Sequence, residues 1–139
     1  MAIERSLVMV KPDGVAKGAA GDVISRFEKS GLKLIGLKMI HMEKREAEGF
    51  YVVHRERPFY NDLTNFMSSG PAVIIALEGE GAIAKIRDMM GPTDSKKAPK
   101  GTIRGDWGTD VEKNAVHGSD SRESASFEIP YFFSRLELF

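Results

Sequence analysis

The 139 residues include no cysteine. That absence excludes disulfides, thiolate nucleophiles and sulfur-ligated metal sites together, and it suits a cytoplasmic protein. Neither sign of charge is in excess. Twenty Lys and Arg stand against 20 Asp and Glu, so no global field draws the chain to nucleic acid or to a membrane surface. No stretch approaches the roughly 18 consecutive apolar residues of a membrane span. Met1 to Val10 has neither the long apolar segment nor the small-residue cleavage site of a secretion signal. Three common catalytic signatures are missing too: a G-x-x-x-x-G-K-[ST] phosphate loop, an H-E-x-x-H metal helix and a G-x-S-x-G elbow. Three scattered histidines make a poor metal site.

What is present reads as one ordinary domain spanning residues 1–139. At 42% hydrophobic and 29% charged, the chain can bury a core and is not disordered. Leu7 to Val10 is a short apolar run ended by a Lys11-Pro12-Asp13-Gly14 turn, which predicts a buried strand. Val23, Ile24 and Phe27 fall at helical spacing before Gly31. Leu34 to Met42 and Ala72 to Leu77 read as strands. Ala47, Phe50, Tyr51 and His54 share a helical face, as do Leu63, Phe66 and Met67, and then Ile83, Ile86 and Met90. Residues 91–116 show little periodicity, and a connection of that length in a compact domain is usually functional or disordered. A short capped helix over Asp120 to Ser126 and a last strand over Glu128 to Phe133 complete the pattern, with Pro130 suited to a sheet edge. The order reduces to βαββαβ. It predicts an α+β, ferredoxin-like fold: a four-stranded antiparallel sheet with helices covering one face.

Gly79-Glu80-Gly81-Ala82-Ile83-Ala84 matches G-x-G-x-x-A between a strand and a helix. The chain is too short for two nucleotide-binding halves, and Glu80 would face a pyrophosphate. A tight strand-to-helix turn is the better reading.

Asn114 to Ser121, NAVHGSDS, carries the more informative histidine. A neutral imidazole, with a reference pKa of about 6.5, is a good nucleophile near neutral pH. One ring nitrogen must be free, and the other must be held by an acceptor that fixes the tautomer. Glu128 could be that acceptor for His117; Asp120 could compete, although it is placed to cap a helix. The small neighbours Gly118 and Ser119 would leave room for a bulky substrate. Ser119 or Ser121 with His117 as base would make a hydrolase, but side chains so close in sequence seldom form a triad. Lys11, Arg87, Thr93, Arg104 and Asn114 lie near strand and helix ends or in the long loop. They are the types that hold a triphosphate: cations for phosphate oxygens, a hydroxyl and an amide for further bonds.

Over essentially its whole length the chain resembles the nucleoside diphosphate kinases. The resemblance is carried by VKPDGV (10–15), SRFEKSGLK (25–33), HRERPFY (54–60), MSSGP (67–71), LEGEGAI, GTIRGD and above all NAVHGSDS. It implies transfer of a γ-phosphoryl group from a nucleoside triphosphate to a nucleoside diphosphate, ping-pong, through a phosphohistidine at Nδ1 of His117 with Glu128 on Nε2. It further implies phosphate contacts from Lys11, Arg87, Thr93 and Arg104, and Tyr51 positioning Lys11 and the histidine. Ser119 falls among the catalytic residues. Phe59 would stack on the base with Val111 at its other face, Asn114 and Lys11 would bind the sugar hydroxyl, and Gly118 would line the nucleotide site. Mg²⁺ would arrive on the nucleotide phosphates, without a protein cage. A homo-oligomer is implied, a hexamer or tetramer built from dimers, with no membrane partner. The alternative is a nucleotide- or nucleic-acid-binding protein with an inactive site, using Lys96, Lys97, Lys100 and Arg104. Three positions depart from the family pattern: Lys100 stands where Pro is frequent, Trp107 replaces Phe or Tyr, and Pro130 replaces a small residue.

Overall fold

In the first strand, Leu7 and Met9 point to one side, Val8 and Val10 to the other, and all four are fully buried. A strand buried on both faces needs cover on both. The computed structural model, which describes residues 2–139, provides it. The elements run β1 (Ile3–Val10), α1 (Pro12–Ala16), α2 (Ala20–Lys29), β2 (Lys33–Ile40), α3 (Lys44–Phe50), α4 (Tyr60–Met67), β3 (Ala72–Glu80), α5 (Ala82–Met90), α6 (Ile103–Trp107), β4 (Val116–Gly118) and α7 (Arg122–Phe132). The strands form one antiparallel sheet in the order β2-β3-β1-β4, the ferredoxin-like arrangement.

Leu7, Met9, Ile74 and Ala76 face Phe50 of α3, Met67 of α4 and Ala125 and Ile129 of α7. Val8, Val10, Val73, Ile75 and Leu77 face Val23 and Phe27 of α2, Ile86 and Met90 of α5 and Ile103 of α6. The expectation of helices on one face is therefore corrected: helices cover both. The continuous apolar run in β1 is the signature of that double burial. Each fully buried side chain of the size of Phe27 or Ile75 contributes about 1.5–3 kcal/mol.

The structure corrects several local expectations. Lys11-Pro12-Asp13-Gly14 does not simply turn; Pro12 opens α1, where its missing N–H costs nothing. Residues 91–116 contain α6, capped by Thr102 Oγ1 accepting from Gly105 N at 3.1 Å, and a 3₁₀ turn at Ser95–Lys97. His117 sits on β4, a strand that the sequence pattern does not signal. Ser121, rather than Asp120, caps the last helix, accepting from Ser124 N at 3.0 Å.

Glu128 to Phe133 is not a strand. Ala125, Ile129 and Phe133 are the buried residues of that segment and stand four apart. That is the helical period, and it overrides the β-preference of the aromatic cluster. Pro130 thus lies inside α7, not at a sheet edge. It is exposed, as is Ser126, the residue whose carbonyl loses its helical partner to the proline.

Gly81 opens α5 in the left-handed region at φ 58°, and a Cβ on Gly79 would meet Leu32 Cδ2 at 2.7 Å. These glycines serve a tight turn and a close packing contact, which suffices to explain the G-x-G-x-x-A pattern. Among the described residues no helix is long and apolar enough to cross a membrane.

Candidate active site

Register on the sheet brings His117 to its neighbours. Met9 is opposite His117 across β1 and β4, so the imidazole emerges on the α3/α4/α7 face. Gly118, one residue on, faces the other side, where a Cβ would meet Met90 Sδ at 2.7 Å. The room beside Gly118 is thus filled by Met90, and Ser119 is fully buried. The lack of a Cβ at Gly118 serves packing against Met90, and neither small side chain by itself opens the space for substrate. Ala115, just before β4, holds a left-handed φ of 70°. It is pinned there by its N–H to Asp13 Oδ2 at 2.9 Å and by its carbonyl, which accepts from Lys11 N at 2.8 Å.

His117 Nε2 lies 3.0 Å from Glu128 Oε1, and the same oxygen accepts from the Ser119 hydroxyl at 2.7 Å. Ser119 Oγ in turn accepts from Leu7 N at 3.2 Å. The carboxylate is an acceptor, so Nε2 carries the proton and Nδ1 keeps a lone pair. α7 presents Glu128 one turn beyond Ser124. Phe50 and Tyr51 pack edge-on against the imidazole, at 5.3 and 6.0 Å between ring centres. Burial pushes the Tyr51 phenol well above its ordinary range, with Glu128 adding to the shift, so it stays protonated.

The cleft above this pair, about 570 Å³, is lined by Lys11, Tyr51, Phe59, Arg87, Thr93, Arg104, Val111, Asn114, Gly118 and Glu128 as well as His117. Of the sequence-predicted set, only Ser119 is not in its wall; it lies beneath, holding Glu128. Lys11 is 5% exposed, and its ammonium donates to Asn114 Oδ1 at 2.9 Å and Glu112 O at 2.7 Å. Those bonds, not one to Tyr51, hold it. Desolvation lowers its pKa to about 8. Asn114 is tied down by donating to Thr93 O and Val111 O, at 2.9 and 3.1 Å.

Arg104 donates to Gly91 O at 3.0 Å and Val116 O at 2.9 Å, while its buried Nε has no partner. Burial, then the neighbouring Arg87, lowers its pKa to about 10, so it stays charged at neutral pH. Arg87 donates to Gly118 O at 3.3 Å. Three cations thus meet in one cleft, two of them buried at a desolvation cost that an anion would offset. At the mouth, Phe59 is 45% and Val111 60% exposed. Two exposed apolar side chains in the wall of a polar cleft suit a flat aromatic guest.

The sequence reading missed Glu112, Ser124 and Phe50 in the lining, and weighed Asp120 as a helix cap or a rival acceptor for His117 rather than as part of the wall. Asp120 does accept from the Ser124 hydroxyl, and that bond, more than any charge, lowers its pKa. Only contacts in space reveal these residues, since none has a distinctive spacing. Among the described residues no group of three or more His, Asp or Glu side chains is placed to hold a metal ion.

A family model described as nucleoside diphosphate kinase matches residues 4–138. A protein of Anaeromyxobacter sp. (strain Fw109-5) named nucleoside diphosphate kinase is 61% identical over 133 residues, 96% of this chain and 91% of its own length. The solved nucleoside diphosphate kinase of Aquifex aeolicus is similar with a TM-score of 0.97 at 50% identity, over 99% of this chain and 100% of that one. A halophilic nucleoside diphosphate kinase from Halobacterium salinarum, solved in complex with CDP, is similar with a TM-score of 0.95 at 41% identity, over 99% and 92%.

Proposed function

The chain belongs to the nucleoside diphosphate kinase family and is an enzyme of it, and from that premise we propose that it works ping-pong through a phosphohistidine at His117. The observation that carries this reading is the His117–Glu128 bond inside a cleft with three cations. Nδ1 of His117 attacks the γ-phosphorus of a nucleoside triphosphate. The bond from that phosphorus to the β–γ bridging oxygen breaks, and the nucleoside diphosphate leaves with the electron pair. Nε2 keeps its proton and donates it to Glu128, whose charge offsets the positive charge that grows on the ring. A second nucleoside diphosphate then attacks the phosphohistidine with a terminal oxygen, and the N–P bond breaks back onto the imidazole. Lys11, Arg87, Arg104 and the Thr93 hydroxyl align and neutralise the phosphates, which is most of what such a transfer needs. Mg²⁺ would enter as part of the substrate and supply neutralisation of phosphate charge; a cleft lined with cations favours phosphate oxygens over a bare metal ion.

The experiment is intact mass after mixing with Mg·ATP and no acceptor. One added phosphoryl group, acid-labile and discharged by any nucleoside diphosphate, is expected. Bound ATP with no adduct would sink the covalent mechanism.

Phe59 and Val111 make no hydrogen bond to a base edge in this reading, so they accept any base. Phe59→Ala should weaken binding of purine and pyrimidine nucleotides alike, by about 1–3 kcal/mol. A loss confined to one base, measured by calorimetry, would contradict stacking. Lys11, with its pKa near 8, should take up a proton when phosphates bind between about pH 8 and 9. Binding enthalpies that do not vary with the ionisation enthalpy of the buffer at pH 8.5 would refute this.

The same proposal takes residues 1–139 as one domain, cytoplasmic and homo-oligomeric, a hexamer or tetramer built from dimers. β2 is an outer strand whose Leu37 and Met39 are 49% and 60% exposed, with Phe139 nearby at 80%. Large apolar side chains along an unpaired edge favour cover by another subunit. The nucleic-acid alternative is disfavoured: Arg104, one of its four cations, is buried and turned into the cleft.

A further inference from the structure

Arg104 stands on a helix of only five residues, Ile103–Trp107. A single turn cannot hold its own orientation, because nucleation is unfavourable. Gly91 O and Val116 O accept from the guanidinium itself, but something outside the helix must fix the backbone that carries it. From inside, Ile103 is fully buried. From outside, a closed ring of polar contacts joins the helix to α2. Asp22 and Arg26 lie one turn apart on α2, and Asp22 Oδ2 accepts from Arg26 Nε and from Trp107 Nε1, each at 2.8 Å. Arg26 Nη2 donates to Asp106 Oδ2 at 2.7 Å, and its Nη1 to Gly101 O at 3.3 Å. Asp106 Oδ1 closes the loop by accepting from Gly101 N at 3.0 Å. One guanidinium therefore clamps Gly101 and Asp106, while Asp22 holds Trp107.

None of Asp22, Arg26, Asp106 or Trp107 lines the cleft. Isolated exposed ion pairs contribute little, but a planar fork engaged on several sides has its geometry set. We propose that Asp22, Arg26, Asp106 and Trp107 form a positioning network that sets the place of Arg104 in the cleft, and so the affinity for nucleotide phosphates. Trp107 ties the end of the helix to Asp22: a phenylalanine there would fill the space without donating to Asp22, and a tyrosine hydroxyl would sit elsewhere on the ring. The proposal rests on Arg104 being a phosphate contact, as in the functional reading above.

A double-mutant cycle on the full chain tests it, with steady-state phosphoryl exchange as the readout. Arg26→Met should raise KM for the nucleoside triphosphate about 10-fold and leave kcat within about 2-fold, because a ground-state phosphate contact is weakened. In an Arg104→Met background the same substitution should change KM by less than about 2-fold, since its effect passes through Arg104. Equal losses in both backgrounds would mark mere destabilisation and overturn the proposal; so would an unchanged KM in the single variant. If Arg104→Met alone leaves KM unchanged, the phosphate role of Arg104 fails first, which separates the two readings. Should Arg26→Met not fold, Trp107→Phe keeps the ring and removes one donor. It should give about a 3-fold rise in KM that vanishes in the Arg104→Met background.

Discussion

His117→Ala is expected to lower phosphoryl transfer by about 10⁴-fold or more while the protein folds and still binds nucleotide. The nucleophile has no understudy. His41 and His54 are elsewhere, with His54 at the cleft wall beside Phe59 and His41 bonded to Ser68 O at 2.8 Å. Removing the imidazole deletes one hydrogen bond to Glu128, whose oxygen keeps the Ser119 hydroxyl at 2.7 Å. The stability cost is therefore about 1 kcal/mol. Lys11, Arg87, Arg104 and Phe59 are untouched, so nucleotide affinity should survive. Exchange kinetics together with calorimetry check both halves. Turnover between two different nucleotides at anything near the parent rate would end the covalent mechanism.

Lys11→Met should lower kcat/KM by about 10²–10³-fold, the scale of losing a preorganised charge in a site shielded from water. It should do so without lowering stability at neutral pH. Burial depresses the Lys11 pKa to about 8, against an ordinary value of 10.5, so between those two pH values the unfolded chain binds more protons than the folded one. Lys11's contribution to stability therefore rises with pH through that window. Below about pH 8 both states are protonated, and the buried charge is a full burden on the fold. Methionine keeps the stem and removes that burden. Thermal melts at pH 7 should show an equal or higher Tm, and the parent's gain in Tm between pH 8 and 10 should shrink in the variant. A large drop in Tm would mean that the Asn114 and Glu112 bonds outweigh desolvation.

Both predictions concern residues visible in the chain beforehand, and the reasons differ. His117 stood out because NAVHGSDS is an unusual local string. Lys11 stood out only as a cation after a strand; its burial and its bond to Asn114, 103 residues away, are products of folding. Glu128 was legible as a partner but misplaced on a strand, because Tyr131, Phe132 and Phe133 weigh towards β-structure when read locally. Spacing of the buried set 125, 129 and 133 was the better signal.

The sequence by itself determined the first three strands and the helices between them, the chemical types available to the site, the absence of thiol chemistry and the family. Each of these is written in local strings or in composition. It put the fourth strand at 128–133, where the chain is helical to Phe132, and not at Val116–Gly118. Tertiary structure alone decided that helices cover both faces of the sheet, that Glu128 reaches His117 from a helix, and that Lys11, Arg87 and Arg104 face one cleft. It alone closed the ring from Asp22 to Trp107. The physical reason is range: hydrophobic period and turn chemistry act within a few residues, whereas these contacts join segments far apart in the chain and exist only once the sheet order β2-β3-β1-β4 is formed.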